Sequence, residues 1–279
     1  MAERQHGRAG GTVVAAGLMA WICLGTTGCQ SSGAADDDAP LADPVQALHR
    51  AADVLVAART SKARTSMEMA TGGTRVTIRG EGVYDYTRGL GRLKVMLPHD
   101  PAGSAGHRPI TELLAPGALY MKNRGAGVPA DKWVRVDTTT LSDGNLVTGG
   151  ATDPLAAAEV LRGARTATYV GRMEFAGTPV RHYRGTANLI EAAKKASPDA
   201  KASLAAAAKG FATAEVPFDV FLDDEGRIRK IRHRFSFVNG SRKTAVAVAS
   251  TTLLYDFGTP ADVRLPPARD IYAGRIAEE

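Results

Sequence analysis

Three sets of side chains in this sequence are of the types that do chemistry. The first is the carboxylate group Asp219, Asp223 and Asp224. Two carboxylates held close together suit general acid and base work. Asp223-Asp224-Glu225-Gly226 is also the composition of a hairpin turn, which uses those residues for backbone reasons alone. The second set is the histidines His6, His49, His99, His107, His182 and His233, none of them paired at metal-ligand spacing. There is no Gly-x-Ser-x-Gly elbow, no phosphate-binding loop and no dinucleotide fingerprint leading into a helix. No catalytic residue, metal or cofactor is therefore assigned, and the expectation is a protein that is not an enzyme. The third set is the basic run from Arg227 to Arg234. A nucleic-acid partner is not expected. Isoleucines recur within the run, which reads as a strand with a solvated charged face, or as an attractor for anionic headgroups.

Cys29 has a different setting. Arg4, His6 and Arg8 precede an apolar run over 13–24, and Thr26-Thr27-Gly28 lead into the cysteine. About a dozen apolar residues match a secretory core and fall short of the ~20 that a spanning helix needs. The arrangement resembles a bacterial lipoprotein signal, with Thr26 where leucine is usual. That resemblance implies cleavage before Cys29 and a diacylglycerol on its thiol, with palmitate-type chains. Two acyl chains give stable anchoring. A plain secretory signal cut at a small-residue site is the alternative. The expected organisation is a signal peptide over 1–28, a lipidated cysteine and flexible tether over 29–43, and one domain over 44–279. The tether expectation rests on Ser, Gly, Ala and Asp36-Asp37-Asp38, which cannot bury a core.

The elements that must position any site follow from periodicity. The chain is 44% hydrophobic and 23% charged, which are globular values. Its net charge is +6, and residues 1–28 hold only one net positive charge, so the remainder is mildly basic. With Cys23 in the expected signal and Cys29 lipidated, no disulfide is available, and the core must stand without one. Asp43-Pro44 opens a helix carrying Val45, Leu48, Leu55 and Ala58, ending near residue 60. From 64 onward the period is two. Met67 and Met69, then Val76 and Ile78, then Leu93 and Val95 alternate with polar residues and predict three antiparallel strands. Gly80 and Gly82 suggest a bend or bulge. Further strands are read at 110–114, 118–122, 133–137, 166–175, 180–187, 216–222, 228–238 and 244–257. Asp153-Pro154 caps a short helix, and an alanine-rich helix pair runs over 189–209. The polar, glycine-containing segment 138–152 reads as a loop. Ile231, Phe235 and Phe237 are expected to share an apolar face with Leu253, Tyr255 and Phe257. The fold class is α+β, a single large antiparallel sheet of about ten strands.

The order of pieces resembles the LolA-like fold, specifically the actinobacterial LppX/LprG-type lipoproteins. The stretches that carry it are 118–122 followed by 133–137, Asp153-Pro154-Leu155 followed by Tyr169-Val170-Gly171, Val216-Pro217-Phe218 leading to Gly226-Arg227-Ile228, and Tyr255-Asp256-Phe257-Gly258 with Pro266-Pro267. The resemblance implies a curved half-barrel sheet with helices closing its concave side, around a hollow that takes acyl chains. It implies a carrier of lipid or lipoglycan on the outer face of the cytoplasmic membrane, with a membrane transporter as a further candidate partner. It supplies no fixed catalytic or ligand residue.

The residues add a cavity expectation of their own. Met67, Met69, Val76, Ile78, Leu93 and Val95 make one apolar face, and the helices available to cover it are rich in alanine. A large apolar face under small side chains leaves space. Methionine suits flexible apolar ligands, and Met96, Met121 and Met173 also fall in predicted strands. The alternative is a cell-surface interaction or sensor lipoprotein whose core is filled by its own side chains.

Overall fold

The computed structural model describes residues 43–71, 74–98, 108–125, 127–238 and 245–273. Cys29, the expected signal and the tether up to residue 42 lie outside the described residues. Two short helices come first, α1 (Pro44–His49) and α2 (Ala51–Ala58). Asp43 caps α1, its side chain accepting from the Gln46 N–H at 2.9 Å. The helix stops earlier than its pattern suggests, because Arg59 takes a left-handed φ of 69° and the chain enters the sheet at Thr60.

Eleven strands then form one antiparallel sheet. They are β1 (Thr60–Thr71), β2 (Thr74–Asp85), β3 (Leu90–Met96), β4 (Ile110–Ala115), β5 (Ala118–Lys122), β6 (Trp133–Asp137), β7 (Ala164–Phe175), β8 (Thr178–Asn188), β9 (Glu215–Leu222), β10 (Ile228–Val238) and β11 (Ala245–Tyr255). Their order is β6-β5-β4-β3-β2-β1-β11-β10-β9-β8-β7. Two meanders, β1 to β6 and β7 to β11, are joined along β1 and β11. The class is α+β with a single sheet, as the periodicity indicates.

Between the meanders lies α3 (Pro154–Val160), and α4 (Leu189–Lys195) and α5 (Pro198–Gly210) are inserted between β8 and β9. Asp153 caps α3 through the Leu155 and Ala156 N–H groups. Helices and sheet share one core, in which Leu48, Leu55, Leu161, Leu189 and Leu204 meet the inner-face residues of the strands. A smaller cluster on the outer side packs Leu113, Tyr120 and Leu90 under Val263 and Ile271 of the C-terminal segment.

Two register expectations change. Gly80 and Gly82 make no bulge, since β2 pairs continuously with β1 and β3. At Gly82 a Cβ would lie 1.9 Å from the Arg92 carbonyl oxygen, so glycine there permits close approach of the two backbones. On β11 the inward side chains are Val246, Val248, Ser250, Thr252 and Leu254, and Phe235 faces Val248. Leu253 and Tyr255 point outward, where the Arg64 guanidinium lies 5.8 Å from the Tyr255 ring. The inner residues of this central strand are partly hydroxyl-bearing, which is why apolar parity misreads it.

A candidate ligand-binding face and its plug

Helices cover the β7–β10 half of the inner face. The β1–β5 half is covered by the segment 138–152, which has no regular secondary structure and is mostly buried. This segment reads as polar, yet its polar groups are turned on themselves. The Asp143 carboxylate accepts from the N–H groups of Asn145, Val147 and Thr148 and from the Thr148 hydroxyl, at 2.6 to 3.0 Å. Asn145 Oδ1 accepts from the Gly149 N–H, and the Thr152 hydroxyl donates to the Leu146 carbonyl. That internal bonding frees Leu146, Val147 and Ala151 to be buried. The segment therefore acts as a plug.

The six sequence candidates are in the main core. Met67, Ile78, Leu93 and Val95 are buried, and Met69 and Val76 are half-buried against them. The plug sits directly on two of them, since a Cβ on Gly150 would lie 3.3 Å from Ile78 Cγ2 and 3.6 Å from Val95 Cγ1. The space expected above this face is filled here by main chain. Met121 is buried, whereas Met96 and Met173 are outward and exposed.

The open volume lies beside the plug. It is a cleft of about 250 Å³ where α2, α3 and α5 approach the β4–β5 turn, and none of the six candidates lines it. Its apolar lining includes Tyr84, Tyr86, Leu114, Leu155 and Leu204, and its rim is polar. The Tyr84 hydroxyl donates to Asp153 Oδ2 at 3.0 Å. Burial raises the Asp153 carboxyl above its ordinary value against the lowering effect of its hydrogen bonds. Arg162 spans Asp53 and Glu159, and Glu159 also accepts from the Ser197 N–H, so this rim ties three helices together.

Two titratable side chains on the inner face have no such partners. Glu112, on β4, is fully buried, and neither carboxylate oxygen has a hydrogen bond. Burial pushes its carboxyl up to about 8, against a weaker pull from Arg124. Leu93 and Met121 flank it across the neighbouring strands, and Gly149 of the plug lies over it. His233, on β10, is buried with Nε2 unpartnered, and desolvation pushes its imidazole down to about 3. The Thr65 hydroxyl oxygen is also unpartnered. Sequence reading missed Glu112, although its place between Ile110 and Leu114 at inward parity is a visible signal.

The carboxylates singled out in the sequence serve the surface. Burial raises Asp219, but hydrogen bonds from Arg184, His182 and Arg234 outweigh it and hold the carboxyl below its ordinary value. The His182 ring lies flat against Phe221 at 4.2 Å. Asp223 closes the turn, accepting from the N–H and Nε of Arg227. Among the described residues no three metal-ligating side chains converge.

No protein-family model and no curated protein sequence matches the chain. Among solved structures, it is similar to the lipoprotein LppX of Mycobacterium tuberculosis, at 9% identity over 79% of this chain and 97% of that one, with a TM-score of 0.42. It is similar to LprF of Mycobacterium bovis, at 13% identity over 81% of this chain and 98% of that one, with a TM-score of 0.39. It is also similar to a LolA superfamily protein of Nitrosomonas europaea, at 10% identity over 77% of this chain and 95% of that one, with a TM-score of 0.34.

Proposed function

We propose that this domain binds lipid acyl chains between the inner face of β1–β5 and the 138–152 plug, and carries lipid or lipoglycan outside the cytoplasmic membrane. The supporting observation is the way that face is covered. An extended apolar surface built from Met67, Ile78, Leu93 and Val95 is closed by irregular main chain with three apolar side chains. A cover of that kind can be exchanged for an acyl chain without dismantling a helix or a strand. The adjoining cleft, apolar inside and polar at its rim, offers the way in and a place for a headgroup. In this reading Cys29 bears the diacylglycerol and holds the protein on the membrane, and a transporter is the candidate partner that delivers or receives the lipid.

One observation favours a second reading. The cleft is about 250 Å³, below the ~300–1,000 Å³ of most ligand pockets, and the face beside it is packed. A sensor or interaction lipoprotein with a filled core has that appearance. Native mass spectrometry of protein taken from its own membrane, with a fluorescent fatty-acid titration, separates the two. The carrier predicts a co-purifying lipid and saturable uptake. A lipid-free protein that takes up no fatty acid at any pH removes it.

A further inference from the structure

The outer face of the sheet is divided by charge. Around β8–β10 the arginines are paired within the fold. Asp219 accepts from Arg184 and Arg234, each at 2.9 Å, Asp224 from Arg172 and Arg181, and Asp223 from Arg227. Lys230 lies over the Phe175 and Phe221 rings. The arginines of the run 227–234, the most cationic stretch of the sequence, are therefore each held by a carboxylate, Arg229 by Asp223 and Arg232 by Glu68 among them, although the area keeps a net positive charge.

On β1–β3 most cations lack such partners. Arg64, Arg75, Arg79, Arg92 and Lys94 are exposed there around one carboxylate, Glu81, which is 3.9 Å from Arg64. Of the other carboxylates nearby, Glu68 pairs with Arg232 at 3.6 Å, and Asp85 lies at the end of the area, where it accepts from Thr87 and the Arg88 N–H. Arg79, Arg92 and Lys94 have no ion pair among the described residues. The register sets Arg64, Glu81 and Lys94 in one cross-strand row, with Arg79 and Arg92 in the rows on either side. At ~4.8 Å between strands and ~3.4 Å per residue, the five cations cover an area ~10 Å wide and ~27 Å long. Two shallow hollows open within it. One lies between Arg64 and Arg79 over Met96 and Leu253, and the other beside Arg92 and Lys94. Met96 is 41% exposed, an apolar side chain set among cations.

We propose that the outer face of β1–β3 is a docking surface for an anionic phospholipid bilayer. The guanidinium and ammonium groups meet lipid phosphates, and Met96 and Leu253 meet the glycerol level beneath them. The extended, unneutralised basic area carries the assignment by charge complementarity, and nothing in it depends on acyl-chain uptake at the inner face.

The test uses the full chain and vesicles of phosphatidylcholine with or without 30% phosphatidylglycerol, read by co-sedimentation. Each basic side chain near such a surface contributes about fivefold to partitioning, so Arg79→Gln, Arg92→Gln and Lys94→Gln together should lower it ~100-fold on anionic vesicles. Every protein carries Cys29→Ser, so that no acyl anchor fixes it to the vesicles, and the N-terminal segment is otherwise common to all variants. A control triple of equal charge, Arg184→Gln, Arg227→Gln and Arg234→Gln, should change partitioning less than ~5-fold. Equal losses in the two triples would make the effect one of net charge and overturn the proposal. So would wild-type binding that ignores phosphatidylglycerol, or a triple that loses retention on a soluble polyanion while its vesicle binding is unchanged. Melting curves confirm the fold. If the triple melts early, the three single variants, each expected to lose about fivefold, carry the test.

Discussion

Replacing Glu112 by Gln gives the sharpest measurement of how closed the inner face is. Burial pushes the Glu112 carboxyl up to about 8 from its ordinary value of 4.5. A carboxyl raised in this way stabilises the fold fully below pH 4.5, and the stability is lost as pH rises toward 8. At ~1.4 kcal/mol per pH unit the loss is roughly 4–5 kcal/mol, a large share of the ~5–15 kcal/mol that holds a domain folded. The charge acting on it is that of Arg124, while Leu93, Met121 and the plug residue Gly149 offer no ionic partner. His233 acts with the opposite sign. Its imidazole is depressed to about 3, so it withdraws stability as pH falls from 6.5 toward 3. Between pH 4.5 and 6.5 the two slopes cancel. Stability should form a plateau there and fall on both sides.

Gln has the shape of the protonated carboxyl and cannot ionise. Urea denaturation followed by far-UV circular dichroism should therefore find Glu112→Gln within about 1 kcal/mol of wild type at pH 5. At pH 8 it should be more stable than wild type by roughly 4 kcal/mol. A wild-type midpoint that is flat from pH 5 to pH 8, or a Gln variant that is weaker at pH 8, would refute the reasoning. Either result would mean that the carboxylate reaches water or a cation, and that the plug does not seal it.

Three further predictions test the parts separately. The hydroxyls of Thr152 and Ser250 are hydrogen-bonded, so Thr152→Cys with Ser250→Cys should form a disulfide across plug and sheet. Fatty-acid uptake should then be lost under oxidation and return on reduction, and undiminished uptake by the oxidised form would show that the plug does not gate the site. Phe235→Ala should cost roughly 3–5 kcal/mol in chemical denaturation, because Phe235 is buried and stacked on Phe211 at 4.9 Å. Gly82→Ala should cost roughly 3 kcal/mol or more, since the added methyl meets the Arg92 carbonyl, and a neutral result would mean that β2 and β3 are further apart than the register indicates.

The strands were legible where alternation survives single exceptions, as in β1 to β3, and the caps at Asp43 and Asp153 because the Asp-Pro pair has one common use. What was not legible shares one cause. Segment 138–152 looks like solvent-facing chain by composition, since no local rule says that Asp143 will spend its oxygens on its own backbone. On β11, Ser250 and Thr252 face inward because Thr152 and the neighbouring strands meet them, and parity alone therefore selects Leu253 and Tyr255 instead. The basic run misleads for the same reason, as its partners Asp219 and Asp223 are assigned by turns and register. Partner choice is a tertiary property, and a single sequence carries it only where periodicity forces it.

A filled face and a lipid-binding role are compatible if the plug costs less to lift than an acyl chain returns. Lifting it exposes Leu146, Val147 and Ala151, a loss of roughly 4–7 kcal/mol at the ~1.5–3 kcal/mol of a large buried side chain. It also breaks the Thr152–Ser250 and Thr138–Ser203 hydrogen bonds and the Thr138 N–H bond to the Gly117 carbonyl, about 3 kcal/mol net. Two effects oppose that cost. The hydrogen bonds centred on Asp143 lie within the segment, so it can move as a unit and keep them. Glu112 regains water, which at pH 7 returns most of the roughly 3–4 kcal/mol that its burial withdraws. A sixteen-carbon chain laid on the vacated face brings ~0.8 kcal/mol per buried CH₂, on the order of 12 kcal/mol before its own ordering cost. The exchange is therefore favourable by several kcal/mol near neutral pH and weaker by the Glu112 contribution near pH 5. Fatty-acid affinity should fall by roughly 100-fold from pH 7.5 to pH 5 in the wild type and stay level in Glu112→Gln. An affinity that is independent of pH in both proteins would mean that Glu112 remains covered when lipid is bound, and that the chain enters by the cleft alone.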